Sequence, residues 1–407
     1  MQRVSRRVNI RGAEGEKFGR MLALLFDHYG PYHRARLKGA MSELECQGVE
    51  FYSSSHDYAW KESDPDGLPI ITIGEEAIRT QSRFPEFAKK LTDALASIRP
   101  SVVAVPGWSS KPALTALRWC LDHQVPAIVM SESAIGDFKR RRLTEWIKAR
   151  IIRQFSAALV GGSRHQAYLQ QLGMRSEDIH LGYDAVDNHY FEERSAHLRK
   201  GLPSVFLASA RFIEKKNLIR LLQAYAQYRA TTAESIKPWP LVLLGDGPMR
   251  PEILSSITSL NLTDCVTLPG FKQYAEIPSY YANAGAFIHA STTEQWGLVV
   301  NEALASSLPV LVSKACGCAP ELVREGVNGY TFDPFDVKAM SDVMLRITKL
   351  PEHDLFRMGQ ASLEVVGQWG PSRFGKGLSS TSQSALSRKP HDLTVLDRCL
   401  LNILIRQ

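Results

Sequence analysis

The feature that most constrains the fold is an alternation between short apolar runs and amphipathic helical patterns, which occurs twice along the chain. In the first half, apolar runs that end in turn residues predict buried strands at residues 22–26, 70–73, 102–105, 127–129 and 157–160. Helical patterns at residues 84–98 and 112–123 lie between them. This alternation predicts an α/β fold in which a parallel sheet carries helices on both faces.

The alternation restarts after residue 204 and predicts a second sheet. Its strands are expected at residues 205–209, 241–244, 266–268, 286–289 and 310–312, and its helices at residues 218–228, 251–260 and 298–306. A chain of 407 residues is long for one core and suits two domains. We therefore predict two tandem Rossmann-like, doubly wound domains that face each other across a cleft, where the ligands of such sheets bind.

Four segments are predicted along the chain. They are a basic polar extension at residues 1–20, an N-terminal domain at residues 21–200, a C-terminal domain at residues 201–370 and a tail at residues 371–407. In the tail, the serine-rich stretch 379–384 predicts a flexible polar link, and an apolar segment at residues 393–405 follows it. Two interpretations of that segment stay open: it packs on the body of the protein, or it anchors the protein at an interface.

Charge suggests the kind of partner. The formal net charge of +7 indicates an acidic partner without identifying one. Basic side chains between Lys139 and Arg153 accompany apolar residues that recur every three or four positions, which predicts a basic amphipathic helix. This helix either packs its apolar stripe on the core or binds the anionic face of a membrane. Nucleic acid is not expected as a partner, because the sequence has no recognisable nucleic-acid-binding module.

Composition sets the expected compartment. Hydrophobic residues make up 44% and charged residues 22% of the chain, and no apolar run approaches the roughly 20 residues that cross a bilayer. The N-terminus lacks the apolar core of a signal peptide. The expected location is the cytoplasm, with peripheral attachment to the inner face of the membrane as an alternative. The six scattered cysteines predict reduced thiols, and Cys316 and Cys318 are expected in a turn rather than in a zinc site.

The stretch from Glu294 to Glu302 predicts a ligand site. Glu294 is expected in a loop after a strand, and Gly297 at the start of the next helix, where free backbone N–H groups favour an anion such as a diphosphate. Leu298 and Val299, which follow Gly297, are expected to supply backbone N–H groups to this anion. When Glu302 is ionised it only accepts hydrogen bonds, so it suits the two hydroxyls of a vicinal diol such as ribose. Glu294 suits a sugar in the same way.

Other strand ends bring charged and turn residues to the same rim. Arg211 and Lys216 follow the first strand of the second half, and a planar guanidinium beside a compact ammonium suits a departing diphosphate. Gly245 and Gly247 form a tight turn after the next strand. Because parallel strands end at one edge of a sheet, these residues are predicted to share a site with the two glutamates.

On these residues the second half, from about residue 204 to residue 335, resembles the family-4 retaining glycosyltransferases of the GT-B fold, also called glycosyltransferase group 1. The resemblance implies that the expected catalytic residues are Arg211, Lys216 and Glu294. It implies that the expected donor-binding residues are Gly245, Gly247, Gly297, Leu298, Val299 and Glu302. In this assignment Glu294 touches the donor hexose and Glu302 holds the ribose. Two departures are Trp296, where members often have phenylalanine, and the turn at residues 316–321, where many have two glycines before Pro-Glu.

The N-terminal half resembles the family more weakly. The expected acceptor-side residues are Gly30 and His33, after the first strand, and Glu132, where some relatives place a histidine near the transferred sugar. Residues 182–188 are similar to the family's Gly-Val-Asp segment that leads toward the donor domain. The resemblance therefore makes the first domain the acceptor side and the second the side that binds the nucleotide-sugar donor.

The expected function is that of a retaining hexosyltransferase in cell-surface polysaccharide or glycoconjugate biosynthesis. It would move a sugar from a nucleoside-diphosphate sugar to a hydroxyl of a saccharide, lipid-linked or small-molecule acceptor. No cofactor is expected and no metal is required, because Arg211 and Lys216 stand where other enzymes use a divalent ion. Two alternatives stay open: a sugar-nucleotide epimerase on the same GT-B scaffold, and a catalytically silent protein that binds sugar nucleotides.

Overall fold

The structure is a computed structural model that describes residues 21–54, 67–75, 84–137, 140–201, 204–232, 237–388 and 394–406. The predicted extension at residues 1–20 and Lys139 lie outside the described residues. Two parallel sheets organise the protein, one in each half of the chain. None of the helices in the described ranges is both long enough and apolar enough to cross a bilayer.

Seven strands of the first half form one parallel sheet. They are β1 (Leu22–Phe26), β2 (Cys46–Tyr52), β3 (Ile70–Gly74), β4 (Val102–Pro106), β5 (Ala127–Ser131), β6 (Ala157–Val160) and β7 (Ile179–Leu181). Their order across the sheet is β3-β2-β1-β4-β5-β6-β7, so the chain winds outward from β1 in both directions. Along β1, Ala23 and Leu25 pack into one core, and Leu24 and Phe26 pack into another. Both faces of the sheet are therefore covered, as in doubly wound folds.

Six helices follow or connect these strands. They are α1 (Pro31–Met41), α2 (Phe84–Ile98), α3 (Lys111–Asp122), α4 (Arg142–Ile152), α5 (Ser163–Gln171) and α6 (Asn188–Leu198). The amphipathic spacing of α2 explains its position, because Phe87, Leu91 and Leu95 recur every four residues and are buried on the sheet. In α3 the Ser110 hydroxyl caps the helix by accepting a hydrogen bond from the backbone N–H of Ala113.

The second half repeats this architecture with six parallel strands. They are β8 (Phe206–Ser209), β9 (Leu241–Leu244), β10 (Val266–Gly270), β11 (Ala286–His289), β12 (Val310–Ser313) and β13 (Gly329–Phe332), in the order β10-β9-β8-β11-β12-β13. The helices are α7 (Leu218–Thr231), α8 (Arg250–Ser259), α9 (Ile277–Ala282), α10 (Leu298–Ala305), α11 (Ala319–Leu322), α12 (Val337–Thr348) and α13 (Glu352–Gly367). The predicted fold class, two doubly wound α/β halves, is confirmed.

Every strand that the sequence predicts is present, whereas β2, β7 and β13 are not predicted. Gln47, Gly48 and Glu50 interrupt the apolar residues of β2, so the strand shows neither a continuous apolar run nor a regular alternation. The buried Glu50 is tolerated because it accepts hydrogen bonds from the Tyr29 N–H at 2.9 Å and the Thr72 hydroxyl at 2.7 Å. The other two strands are too short to show a period.

The tail corrects one prediction. Residues 379–384 do not form a flexible link but lie inside a long helix, α14 (Pro371–Ser387), which packs against α1. Phe374, Leu378 and Ala385 bury one face of α14, and the hydroxyls of Thr381 and Ser382 donate to backbone carbonyls one turn earlier. Polar side chains satisfied inside a helix are compatible with burial, which composition alone does not reveal.

The last helix also returns to the first half. Helix α15 (Val395–Arg406) packs against α3 and α4, with Leu401 buried. Arg150 at the end of α4 forms a salt bridge with Asp397 near the start of α15, with Nη2 2.7 Å from Oδ1. The opposite face of α15 leaves Val395 and Ile403 exposed. The tail thus extends the N-terminal half of the molecule.

Candidate active site

The loop between β11 and α10 determines the geometry of the site. β11 ends at His289, and Gly297 precedes α10 in the left-handed conformation, with a φ of 107°. A Cβ atom would strain this conformation, so the turn requires glycine. The first N–H groups of α10, which include those of Leu298 and Val299, have no acceptor inside the helix and carry the positive end of its dipole. The helix start therefore favours an anion.

Glu294 lies in this loop within a cluster of cationic and polar groups. Lys216 contacts its Oε2 atom, and Lys215 Nζ lies 3.3 Å from its Oε1 atom. His289 Nε2 lies 3.6 Å and the Ser291 hydroxyl 3.3 Å from Oε2. These contacts join the loop after β8 to the loop after β11, which are distant in sequence and adjacent in the sheet.

The charges of this cluster fix the ionisation of Glu294. Burial alone would raise the pKa of its carboxyl, but the hydrogen bond from His289 and the charges of Lys216 and Lys215 outweigh burial and hold the pKa well below its usual range. Burial lowers the pKa of His289, against the opposing effect of Glu294. Glu294 is therefore a permanent anion at neutral pH. It holds the two lysines in place and keeps lone pairs for a hydroxyl.

Glu302, the second glutamate of the motif, is buried between two tyrosines. Tyr281 donates to its Oε2 atom at 2.7 Å, and Tyr32 contacts its Oε1 atom from the N-terminal half. Burial raises the pKa of Glu302 to about 7, although both hydrogen bonds act in the opposite direction. Glu302 is therefore poised to change its charge near neutral pH, unlike Glu294.

A cavity of about 490 Å³ lies between the two halves beside these groups. Six of the predicted site residues line it, namely Arg211, Lys216, Gly245, Gly247, Val299 and Glu302. Tyr32 adds a wall from the N-terminal half. Gly245 has a φ of 128°, and a Cβ atom there would lie 1.9 Å from the carbonyl oxygen of Ala210. Glycine thus lets the loops after β8 and β9 close on one another at the rim.

The structure places the predicted acceptor-side residues in the N-terminal half, outside the lining of this cavity. Gly30 and His33 lie at the start of α1, where the His33 ring packs against Phe26 with ring centroids 4.4 Å apart. Burial lowers the pKa of His33 well below its usual range. Glu132 follows β5 beside Asp184, whose pKa is raised well above its usual range by burial and then by the Glu132 charge.

The start of α5 attaches the N-terminal half to the loops of the site. The Gly162 N–H donates to His165 Nδ1 at 2.9 Å, so the proton of this imidazole lies on Nε2, which donates to the Gln295 carbonyl at 2.9 Å. The Arg164 guanidinium donates to the carbonyls of Lys314 at 3.0 Å and Cys316 at 3.1 Å. The His165 contact holds the loop that carries Glu294, and the Arg164 contacts hold the loop after β12, both from the side of the other half.

Several residues of the site were not predicted from the sequence, including Tyr32, Lys215, Tyr281 and His289. Lys215 adjoins Lys216, and Tyr32 lies between Gly30 and His33, so the neighbouring predictions pointed to the right segments. No local pattern distinguishes Tyr281, since it is one of two tyrosines in α9 and only the packing of that helix directs it to Glu302. Among the described residues, no three His, Cys, Asp or Glu side chains come together as a metal site would need.

The sequence comparisons match part of the chain to known proteins. Residues 190–362 match the family model of the glycosyl transferases group 1. The chain is 33% identical over 129 residues to an α-monoglucosyldiacylglycerol synthase of Acholeplasma laidlawii, which covers 32% of this chain and 31% of that protein. It is 26% identical over 219 residues to an α-D-kanosaminyltransferase of Streptomyces kanamyceticus, which covers 52% of this chain and 55% of that protein. The chain thus spans between about a third and about half of the length of these relatives.

Solved structures show the same fold over nearly the whole chain. The structure of Anabaena Alr3699/HepE in complex with UDP and glucose superimposes with a TM-score of 0.71 and 17% identity, and covers 90% of this chain and 100% of that one. A sucrose-phosphate synthase from Thermosynechococcus elongatus superimposes with a TM-score of 0.69 and 18% identity, over 88% of this chain and 97% of that one. The two-sheet architecture is therefore the GT-B fold of these structures.

Proposed function

Because residues 190–362 match the family model of the glycosyl transferases group 1, we propose that the protein is a retaining glycosyltransferase. It transfers a sugar from a nucleoside-diphosphate sugar to a hydroxyl of a saccharide, lipid-linked or small-molecule acceptor. The observation that carries the proposal is the interdomain cavity in which Arg211, Lys216 and Glu302 meet beside Glu294. We assign the donor to residues 201–370 and the acceptor to residues 21–200.

The positive and negative groups of the cavity suit the diphosphate and the ribose of a nucleoside diphosphate. Arg211 and Lys216, with the start of α10, supply positive charge for the diphosphate. Glu302 lies one turn into α10 and accepts hydroxyls of the ribose. Because the structural neighbour from Anabaena holds UDP and glucose, UDP-sugars are the first donors to test.

The proposed reaction transfers the sugar with retention of configuration at its anomeric carbon. The bond between the anomeric carbon and the diphosphate oxygen breaks, and its electrons stay on the diphosphate. The acceptor oxygen bonds to the same face of that carbon, and its proton passes to an oxygen of the departing diphosphate. Arg211 and Lys216 stabilise the charge that develops on the leaving oxygen. Glu294 positions Lys216 and accepts a hydroxyl of the sugar.

The decisive experiment measures transfer and its stereochemistry. Purified protein is incubated with each member of a panel of α-linked UDP-, GDP- and ADP-sugars, together with candidate saccharide and lipid acceptors. Donors are first ranked by the rise in unfolding temperature that ligand binding produces. Proton NMR of the product should show an α-linkage. A β-linked product, or the absence of any transfer product and of any thermal shift across the panel, contradicts the proposal.

The same assay separates the two alternatives. An epimerase converts the sugar nucleotide without an acceptor, and the altered nucleotide sugar would be found by chromatography. A silent binding protein would give a thermal shift with no released UDP at any acceptor concentration. A transferase gives acceptor-dependent UDP release in proportion to product. This third result is the one expected from the paired charges around Glu294.

We propose that the transfer needs no divalent metal. The support is the pair of cations that line the cavity, since Arg211 and Lys216 neutralise a diphosphate by direct contact. Initial rates should be the same in EDTA and after addition of Mg²⁺ or Mn²⁺. A loss of activity in EDTA that Mn²⁺ restores would overturn this part of the proposal and leave the sugar transfer itself intact.

Helix α4 has exposed apolar residues that suit contact with a membrane surface. Its inner residues Ile151 and Ile152 are buried, whereas Leu143 and Trp146 near its start are 69% and 46% exposed. The predicted apolar stripe is therefore split between core and solvent. The neighbouring α15 adds Val395, which is 80% exposed. Exposed apolar residues among basic ones suit the anionic face of a bilayer, so we propose peripheral attachment there.

Sedimentation with vesicles tests the attachment. Arg140 is unsuitable for substitution because it donates to the Tyr168 hydroxyl at 2.8 Å and to the Ile135 carbonyl at 3.1 Å, contacts that support the fold. The exposed Arg141 and Arg142 are changed to Ser instead. Wild-type protein should sediment with phosphatidylglycerol vesicles and not with phosphatidylcholine vesicles, and the double variant should stay in solution. Equal sedimentation of the wild type with both lipids contradicts the attachment.

A further inference from the structure

The carboxylate of Glu302 is enclosed by its two tyrosine partners. Glu302 is 1% exposed, with one tyrosine hydroxyl on each carboxylate oxygen. Tyr281 is completely buried on α9, within the same half of the molecule as Glu302. Tyr32 is half-buried, belongs to the other half and lines the cavity. A hydroxyl that enters the cavity therefore reaches Glu302 from the side that Tyr32 covers.

We propose that the Tyr32 hydroxyl competes with a ribose hydroxyl of the donor for Glu302, and that Tyr32 thereby sets the affinity for the nucleotide. This inference rests on the proposed function, because it takes the cavity as the nucleotide site. Binding exchanges one hydroxyl–carboxylate hydrogen bond for another. The gain from the ribose contact is reduced by the loss of the tyrosine contact, so Tyr32 makes the nucleotide easier to release.

The surroundings of Tyr32 allow its hydroxyl to be removed alone. Its ring packs edge-on against Tyr274, with ring centroids 6.0 Å apart at an interplanar angle of 81°. Phenylalanine keeps this ring contact and removes only the donor to Glu302. A hydrogen bond to a charged group contributes enough for its loss to change an affinity by about tenfold. The replacement should therefore act on nucleotide binding with little effect on folding.

The test is isothermal titration of the full chain with UDP at pH 8, where Glu302 is mostly ionised. Tyr32→Phe should lower the Kd for UDP by about three- to tenfold. Tyr281→Phe should raise the Kd, because it removes the hydroxyl that fixes the carboxylate from behind. The matched control is Tyr280→Phe, on the same helix but directed toward Lys272 rather than Glu302, and its Kd should equal that of the wild type. An unchanged or raised Kd for Tyr32→Phe overturns the inference.

A double-mutant cycle ties the effect to the carboxylate. Glu302→Gln removes the charge to which the Tyr32 hydroxyl and the ribose hydroxyl both donate. In this background, adding Tyr32→Phe should change the Kd for UDP by less than about twofold. A full tightening in that background would show that Tyr32 acts elsewhere, and would overturn the inference. If the wild type binds neither UDP nor any other nucleoside diphosphate, the proposed function fails together with this inference. If the wild type binds UDP and Tyr32→Phe does not bind it more tightly, the inference alone fails.

Discussion

The C-terminal half lines the cavity with Arg211 and Lys216 after strand β8 and with Glu302 in the first turns of α10, whereas the N-terminal half reaches it at the start of α1, through Tyr32. Of the cavity-lining residues that the structure describes, only Tyr32 comes from the N-terminal half. The sequence comparisons divide in the same way. The family match falls on residues 190–362, while the likeness in fold extends over 90% of the chain.

The proposed function gives a physical reason for this difference between the halves. A diphosphate and a ribose present the same chemistry in every nucleotide sugar, so one set of charges on one set of loops suffices for the donor. Under the proposed function the N-terminal half meets the acceptor, whose chemistry can differ from one relative to the next, so its strand ends need share no motif with relatives. The halves nevertheless act together, because the hydrogen bonds from His165 and Arg164 hold the donor-side loops in place. Four substitutions test this division, in order of decreasing effect.

The largest effect is expected for Lys216→Ala. This change removes a charge that lines the cavity and contacts Glu294, so kcat should fall by about 100- to 1,000-fold, as for other groups that stabilise a developing anion. Steady-state rates at saturating donor measure the loss. Lys215→Ala is the matched control: Lys215 also pairs with Glu294 but does not line the cavity, and it should lose less than tenfold. Equal losses of kcat would show that Lys216 has no role in catalysis beyond that of Lys215.

Glu302→Gln should change how stability depends on pH. The pKa of Glu302 is about 7 in the folded protein, above its usual value of 4.5, so the folded state holds this proton more tightly than the unfolded state. The stability contributed by this group is complete below pH 4.5 and is lost as the pH rises through 7. Glutamine does not titrate. The free energy of unfolding of the variant relative to wild type should therefore rise by on the order of 3 kcal/mol between pH 4.5 and pH 8.

Urea unfolding at several pH values measures this difference. Glu294→Gln provides a comparison of opposite sign, because the pKa of Glu294 lies well below its usual range. Stability from Glu294 is present above pH 4.5 and is lost as the pH falls through its lowered pKa. The Glu294 variant should therefore be less stable than wild type at pH 7. A Glu302 difference that stays constant from pH 4.5 to pH 8 would contradict the buried, tyrosine-bound carboxylate.

Gly297→Ala tests the turn that starts α10. The new Cβ would meet no atom closer than 3.6 Å, so the cost is conformational and comes from the φ of 107°. The free energy of unfolding should fall by about 1–2 kcal/mol. Gly367→Ala, at the end of α13 with open space around it and no left-handed φ, should leave stability within about 0.5 kcal/mol of wild type or raise it. Similar losses of unfolding free energy in both variants would show that the turn at Gly297 does not specifically require glycine.

Arg164→Ala is expected to have the smallest effect and probes the other half. It removes the hydrogen bonds to the carbonyls of Lys314 and Cys316 but leaves the imidazole contact of His165 in place. Turnover should fall by a few-fold while the unfolding temperature changes little, because the Arg164 side chain is exposed. The control is Arg194→Ala on the exposed face of α6, which should behave like wild type. A loss as large as that of Lys216→Ala would mean that the N-terminal half also takes part in the chemistry.

The fold was largely predictable because apolar runs and helical periods are local features. Strand β11, the loop with Glu294 and the start of α10 at Gly297 occur where the sequence places them. Prediction failed where a polar residue is satisfied by a distant partner. Glu50 interrupts β2 in sequence yet is held by Tyr29 and Thr72 in the structure, and the serines of α14 are buried inside a helix.

The site was predictable to the extent that it depends on strand ends. Arg211, Lys216 and Glu302 line one cavity because parallel strands bring their loops to one edge. Tyr32 reaches Glu302 only because the two halves face one another, and the spacing of 270 residues between them carries no local signal. The acceptor-side assignments of Gly30, His33 and Glu132 remain predictions, since acceptor contacts depend on the shape of the cleft rather than on any short motif.

The packing of α14 on α1 has a consequence for how the protein is made. A Cβ atom on Gly375 would lie 2.0 Å from the carbonyl oxygen of Gly39, so the two helices touch backbone to backbone. During synthesis α14 cannot cover this surface of α1 until the C-terminal half, which precedes α14 in the chain, has been translated. The packing of the half that is translated first is thus completed only after the rest of the chain up to α14 has been made.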